Sequence, residues 1–303
     1  MPDTPQIICL GAMLWDVIGH SPVSLRPGDD VAGRIHQRPG GVALNVAVAL
    51  VRHGLSPSIL SAVGQDSPGE ALIADTRRLG VATDLLWRGG PLPTDLYMAV
   101  ETPDGLFAAI ADAHGLEAAG PSILAPLQDG RLGSDDNPWQ GTAVIDGNLT
   151  KQTLAMMAKA PFLARASLRI VPASPDKADR LAPLLDHPNA VFYINRAEAE
   201  AIAGRPFSGA VDAAEAVVAM GAARVIVTDG PQPAADAVAG QPTVSHCPPQ
   251  VTTRHVTGAG DAFLAAHLAA ELSGFDRNDA LDRAIQAAAA HITAPPETGK
   301  DTA

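Results

Sequence analysis

The chain has 303 residues, with 21 Lys and Arg against 33 Asp and Glu, which gives a formal net charge of −12. This acidic balance disfavours a phosphate backbone or an anionic membrane as partner, so we expect a small-molecule ligand and neither nucleic acid nor membrane. Cys9 and Cys247 lie far apart and match no disulfide or zinc pattern, and the N-terminal residues lack the features of a signal peptide. We therefore expect a cytoplasmic protein.

The predicted elements alternate between short apolar strands and longer helical patterns. In chain order they are a strand over residues 7–14, a helix over 41–54, a strand over 57–64, a helix over 69–79, and strands over 143–148, 191–195 and 224–230. Short Val- and Ile-rich runs between helices are typical of buried parallel strands. The pattern predicts an α/β fold, a mostly parallel sheet with helices on both faces.

Two segments interrupt this alternation. Residues 19–39 are polar and contain the extended run DVAGRIHQR, and residues 94–112 resemble two strands around a Pro-Asp-Gly turn. We expect the segments over about 15–39 and 94–112 to form a small β lid on a single domain spanning 1–303. A lid is typical of a reaction that must exclude water.

The run VTGAGDAF contains the strongest chemical signal. Gly258 and Gly260 permit a turn whose N–H groups point at one place, and the helix that follows adds its own unpaired N–H groups, which predicts an anion site. Beside it, Asp261 is placed to accept a proton from an attacking hydroxyl. The same aspartate would also favour helix initiation, because it lies at the positive end of the helix dipole.

A second candidate site is RPGGVALN. Gly40 and Gly41 permit close approach of a ligand, and Asn45 is a polar side chain in an otherwise apolar helix. Its amide has either a structural role or a role in binding sugar hydroxyls. Asp16 follows the first predicted strand, at the sheet edge where α/β proteins bind ligands, and is otherwise a turn residue.

The run NRAE is compatible with two roles. Asn195 and Glu198 have the spacing of a capping box, and Glu198 could also hold water on a Mg²⁺ ion. Other phosphate motifs fail: Gly299-Lys300 lacks the rest of a P-loop, and GAGDAF lacks the third glycine and the preceding strand of a dinucleotide site.

In this order, GGVALN, NRAE and VTGAGDAF resemble the ribokinase-like (PfkB) family of carbohydrate and nucleoside kinases, over essentially the whole chain. The resemblance implies a ribokinase-like three-layer α/β/α core with a β lid. It also implies ATP and Mg²⁺ as cofactors, and transfer of a phosphoryl group to a primary hydroxyl of a nucleoside or sugar.

The resemblance also assigns roles to residues. Asp261 corresponds to the catalytic base, and the backbone of Gly258, Ala259 and Gly260 to the anion hole. The expected acceptor contacts are Asp16, Gly40, Gly41 and Asn45. The expected nucleotide and phosphate contacts are Asn195, Glu198, Thr228, Gly230 and Thr257, with Glu198 holding Mg²⁺ through water.

Within the family, residues 94–112 and IDGNLT resemble pseudouridine kinases more than ribokinases, which adds Asn148 as an acceptor contact. Two departures affect the cofactors. His255 stands where ribokinase-type members have an aspartate that binds a monovalent cation, so we expect weak or no potassium dependence. Pro231 and Pro233 follow Gly230 where the nucleotide loop is usually richer in amides, which leaves the nucleotide preference open.

Two alternative functions remain at this point. The alternative nearest to the expected activity is a ribokinase or another sugar or sugar-phosphate kinase of the family. A sugar-phosphate substrate would need cationic side chains to bind its phosphate, and the expected lid contains Arg34, His36 and Arg38. A non-catalytic nucleoside or sugar sensor could keep the same fold. An exposed lid edge could also pair two subunits into a homodimer.

Overall fold

The computed structural model describes residues 6–294. Its strands are β1 (Ile7–Leu10), β2 (Leu14–His20), β3 (Arg34–Gly40), β4 (Ser58–Leu60), β5 (Leu96–Thr102), β6 (Gly105–Asp112), β7 (Thr142–Asp146), β8 (Ser167–Val171), β9 (Ala190–Asn195), β10 (Arg224–Asp229), β11 (Gln232–Val238) and β12 (Val244–His246). Its α-helices are α1 (Val42–Arg52), α2 (Ser67–Arg78), α3 (His114–Ala119), α4 (Ala125–Gln128), α5 (Lys151–Met157), α6 (Arg196–Ala203), α7 (Ala210–Ala219), α8 (Ala259–Leu272) and α9 (Arg277–Thr293). No helix within this range is long and apolar enough to cross a membrane.

The main sheet has eight strands in the order β12-β11-β10-β9-β8-β7-β1-β4. All its pairs are parallel except β10 with β11 and β11 with β12. Short strands buried on both faces require helices on both sides, because each face carries an apolar row. The predicted α/β fold with a mostly parallel sheet is confirmed.

Strand β1 shows how the core is divided between the two faces of the sheet. Ile8 and Leu10 belong to one apolar cluster, which includes side chains of α5 and α7. Cys9 lies in the other cluster, together with Leu44 of α1 and Leu264 of α8. Alternate residues of a strand point to opposite faces, so one short strand supports both helical layers.

The predicted strand over residues 7–14 is wrong in its second half. The chain leaves the main sheet at Gly11, which has a φ of 146°, and Leu14 begins β2 in a separate sheet. A side chain at Gly11 would collide with the carboxylate of Asp146. The break therefore places β2, and with it Asp16, away from the main sheet and close to the end of β7.

The separate sheet has four strands in the order β3-β2-β5-β6. Strand β2 is antiparallel to β3 and parallel to β5, and β5 and β6 form a hairpin. The register puts Asp16 beside Arg38 and Tyr97 on one face, while Met98 and Ile110 share the other face. The first face is half-buried, and every residue of β6 is exposed.

Candidate active site

The first turn of α8 contains unpaired backbone donors. Gly258, with a φ of 83°, precedes the helix and provides no side-chain cap. Among the described residues, the amides of Gly258, Gly260 and Asp261 donate to no acceptor, whereas Ala259 N donates to the carbonyl of Val256 at 3.2 Å. Free amides at a helix N-terminus are suited to bind an anion.

Asp261 lies in this turn, close to three other carboxylates. Burial, together with the charges of Asp146, Asp16 and Glu198, raises its pKa to about 7, while the nearby Asn45 amide favours the ionised form. The fold thus brings together side chains from β2, α1, β7, α6 and α8. A carboxyl group with a pKa near neutrality is suited to accept a proton from a hydroxyl.

The two glycines before α1 allow a close approach within the protein itself. A side chain at Gly40 would collide with the carboxylate of Asp16, and one at Gly41 would collide with the carbonyl of Ala12. Asp16 lies 3.8 Å from the Nε of Arg38; burial raises the pKa of Asp16, and Arg38 opposes that rise. Asp16 is therefore held inside the site and is not a turn residue.

The junction of β9 and α6 forms the capping box that its spacing predicts. Asn195 Oδ1 accepts the Glu198 N–H at 2.9 Å, and Glu198 Oε2 accepts the Asn195 N–H at 2.8 Å. Glu198 is buried, which raises its pKa to about 7. Within residues 6–294 no three His, Cys, Asp or Glu side chains are grouped to hold a metal ion directly.

The end of β10 lies next to this junction. Thr228 pairs with Asn195 in the parallel register of β10 and β9. Gly230, with a φ of 57°, is exposed and turns the chain at once into β11. Because Pro231 has no N–H, this turn offers few donors for a phosphate.

The loop before α8 is attached to α9. His291 Nε2 donates to the carbonyl oxygen of Thr257 at 2.9 Å, and the rings of His291 and His255 meet edge to face with centroids 4.9 Å apart. The Arg254 amide also donates to Ile292 O at 2.8 Å. Sequence reasoning missed His291, because it lies 34 residues beyond Thr257 and belongs to no motif.

Sequence reasoning also missed Asp146, which ends β7. Its carboxylate accepts the Ala12 and Ala43 amides, each at 2.9 Å, and the Asn148 amide at 2.9 Å. Asn148 is itself buried, and its Oδ1 accepts Lys177 Nζ at 2.7 Å. The available signal was an aspartate at the carboxyl end of an apolar strand, directly before Gly-Asn.

The chain that contains this site also matches a known protein family. The model of the pfkB family carbohydrate kinases matches residues 4–299. The chain belongs to this family. Enzymes of the pfkB family are phosphotransferases that act on hydroxyl groups of small sugars or nucleosides and use ATP with a divalent metal.

Individual relatives agree with this assignment. The pseudouridine kinase of Escherichia coli (strain K12) is 29% identical over 280 residues, which cover 88% of this chain and 83% of that protein. A carbohydrate kinase from Agrobacterium tumefaciens has 27% identity and a TM-score of 0.80, covering 98% of this chain and 94% of the other. An Arabidopsis thaliana ribokinase complexed with ribose and ATP has 19% identity and a TM-score of 0.77, covering 96% and 93%.

Proposed function

We propose that this pfkB kinase phosphorylates the primary 5′ hydroxyl of pseudouridine to give pseudouridine 5′-phosphate, with Asp261 as general base. One observation carries the proposal: a carboxylate with a pKa of about 7 lies in the same helix turn as unpaired amides. A hydroxyl that reaches Asp261 can lose its proton there, while the adjacent donors stabilise negative charge.

In the proposed reaction, the acceptor oxygen attacks the γ-phosphorus of ATP and its proton passes to Asp261. The bond between the γ-phosphorus and the bridging oxygen breaks, and ADP leaves. The amides of Gly258, Gly260 and Asp261 stabilise the charge of the transferred group, since they donate to no acceptor within residues 6–294. The backbone of Ala259 completes the turn.

The proposed divalent ion is Mg²⁺. Crowded carboxylates whose pKa values are raised, including Asp261 and Glu198 at about 7, fit a site that receives a cation. Glu198 would hold the ion through water, because one carboxylate oxygen is already used in the capping box. When bound, Mg²⁺ supplies charge neutralisation to the phosphates.

We propose that the nucleotide lies over the ends of β9 and β10 and the loop before α8. Asn195 and Thr228 are neighbours there, and Gly230 is exposed beside them. Thr257 lies directly before the free amides of α8, so its loop places the phosphates. The scarcity of donors at the Gly230 turn predicts that most phosphate contacts come from α8.

The proposed acceptor site lies between α1 and the inner face of the small sheet, which acts as the lid. Asp16 and Asn45 provide acceptors and donors for ribose hydroxyls, and Gly41 lets the start of α1 pack against Ala12 beside them. Asn148 lies near the same carboxylates through its bonds with Asp146. The similarity to the Escherichia coli pseudouridine kinase over 280 residues supports pseudouridine as the acceptor.

A sugar or sugar phosphate is the second candidate acceptor. Arg38, His36 and Arg34 occupy successive positions on the face of the small sheet that carries Asp16, because each is paired in register with β2. Such a row of cationic groups would suit an anionic substrate. Arg38 is already close to Asp16, which weakens this candidate.

The test is a panel of acceptors with Mg-ATP: pseudouridine, uridine, adenosine, ribose, fructose and fructose 6-phosphate, with ADP release as the readout. We expect pseudouridine to give the highest kcat/KM and a product phosphorylated at the 5′ position. Good turnover of ribose with none of pseudouridine would overturn the substrate assignment. Thermal stabilisation by an acceptor without turnover of any would favour a sensor.

We also propose that two copies of the chain pair through β6. This strand is an exposed edge, and Leu106 and Ile110 on it are 62% and 63% exposed. An unpaired apolar edge is a template for antiparallel pairing with a second copy.

Light scattering should show a dimer that Ile110→Lys converts to a monomer. The control Leu272→Lys, at an exposed apolar residue on α8, should stay dimeric. A monomeric wild type would refute this proposal.

The proposed location is the cytoplasm. Cys9 and Cys247 are both free thiols in the structure, the first buried and the second exposed. Free thiols suit a reducing compartment, which also supplies ATP. Fractionation of cells that express the tagged chain tests this; recovery in the secreted fraction would contradict it.

A further inference from the structure

Asp146 is a fully buried carboxylate that the proposed reaction does not use. It ends β7, an interior strand of the main sheet, and its side chain has no exposed surface. No Lys, Arg or His within residues 6–294 forms an ion pair with it. A buried carboxylate without a cation is costly unless its oxygens are hydrogen-bonded.

The hydrogen bonds of Asp146 join three separate segments. Oδ2 accepts the amide of Ala12, in the link between β1 and β2, and the amide of Ala43, in the first turn of α1. Oδ1 accepts the amide of Asn148 at 2.9 Å, and the Asn148 Nδ2 lies 3.3 Å from Oδ2. Three backbone donors and one side-chain donor therefore meet on one carboxylate.

These segments carry the proposed acceptor contacts. The link at Ala12 leads into β2 and Asp16, and the turn at Ala43 leads into α1 and Asn45. Helix α1 has no cap of its own, because Gly41 stands at its N-cap position. Asp146 caps α1 from a distant strand, and its negative charge favours the positive end of that helix.

The chain also makes room for this carboxylate. Gly11 has a φ of 146°, and any side chain there would collide with the carboxylate of Asp146. The glycine therefore allows β1 and the end of β7 to approach each other at the point where the chain leaves the main sheet. The position of Asp146 depends on a backbone conformation that favours glycine.

We propose that Asp146 is a positioning residue: its carboxylate holds the Ala12 link, the start of α1 and the Asn148 loop in one arrangement, and so places the acceptor hydroxyl against Asp261. This inference rests on the proposed function. Burial raises the pKa of Asp146, while its amide donors favour the ionised form. The ionised carboxylate lies close enough to Asp261 to oppose ionisation of that base.

The test uses two substitutions and one matched control. Asp146→Asn keeps the shape but removes the charge and presents an amide N–H₂ to backbone donors. Asp146→Glu keeps the charge but moves the oxygens. Asp236→Asn is the control, because Asp236 is a fully buried carboxylate on β11, outside the small sheet, and accepts Arg224 Nη2 at 2.7 Å and Arg277 Nε at 3.2 Å.

We expect Asp146→Asn to raise the acceptor KM by about tenfold or more with the ATP KM changed less than about twofold, because misplacement affects the acceptor side. The acidic limb in its pH profile of kcat/KM for the acceptor should move to lower pH by about 0.5 pH unit. Asp146→Glu should raise the acceptor KM without moving the limb. If Asp146→Asn does not fold, the Glu variant still tests the positioning role.

Other results would overturn the inference. An Asp146→Asn or Asp146→Glu variant with a wild-type acceptor KM shows that the carboxylate does not position the acceptor. A rise in KM that is equal for both substrates, or that Asp236→Asn reproduces, shows a purely structural role. A wild-type protein that phosphorylates no acceptor is a different result, since it refutes the proposed function itself.

Discussion

The pKa of Asp261 predicts an acidic limb in the activity profile at unusually high pH. Burial and the neighbouring charges of Asp146, Asp16 and Glu198 raise the pKa of Asp261 from 3.8 to about 7. The base acts only when ionised. With a pKa of about 7, the ionised fraction is about one half at pH 7, about one tenth at pH 6 and about one hundredth at pH 5.

The assay is kcat/KM for the acceptor, measured from pH 5 to pH 9 with Mg-ATP saturating. We expect log kcat/KM to fall with a slope of about one below pH 7 and to be flat above it, because a single group must lose a proton. An aspartate with an ordinary pKa would leave the profile flat above pH 5. A flat profile between pH 5 and pH 8 would refute the electrostatic account of the site.

Glu198 must be distinguished from Asp261 as the source of the acidic limb, because burial raises the pKa of Glu198 to about 7 as well. In Glu198→Gln we expect the limb to persist and to move to lower pH, since one of the charges that opposes ionisation of Asp261 has been removed. A limb that disappears in Glu198→Gln would belong to Glu198, and the assignment of the base would then be wrong.

Three other predictions concern the pH dependence of stability, the hydrogen bond of His291 and the position of His255. Lowering the pH from 8 to 6 should raise the thermal midpoint by about 3 °C, because Asp261 and Glu198 bind protons more tightly in the folded chain than in the unfolded one; a fall in the midpoint would contradict this. His291→Ala should raise the ATP KM by about tenfold, and His291→Gln, which can still donate to Thr257, should restore it to within about threefold; equal effects of the two would exclude this hydrogen bond as the cause. Replacing K⁺ by a bulky organic cation at constant ionic strength should change kcat less than about twofold, because His255 stands in place of an aspartate; strong activation by K⁺ would contradict that expectation.

The fold was predictable because local patterns and tertiary burial agree over most of the chain. The Val- and Ile-rich runs that become β7, β9 and β10 are short, apolar and followed by turn or capping signals, so their periodicity indicates buried strands. The strand over residues 7–14 was predicted wrongly at its end. Its apolar run continues past Gly11, where the chain leaves the main sheet beside the carboxylate of Asp146, more than a hundred residues away in sequence.

Local sequence patterns likewise predict only some of the residues of the candidate site. Motifs carry Asp261, Asn45 and Glu198, because each stands at a helix start with a recognisable neighbour. Asp146 and His291 act on backbone atoms of distant segments, and no local pattern shows such a partner. A sequence pattern therefore reveals the groups at the reacting centre more readily than those that hold them.

The most direct test of the central claim is the single-turnover rate of wild type and Asp261→Asn with pseudouridine and Mg-ATP at pH 8. The substitution keeps the size of the side chain and removes only its ability to accept the proton. We predict a rate that falls by about 10²–10⁴-fold, with both substrates still bound and the fold intact. A variant that transfers the phosphoryl group at the wild-type rate would show that Asp261 is not the base.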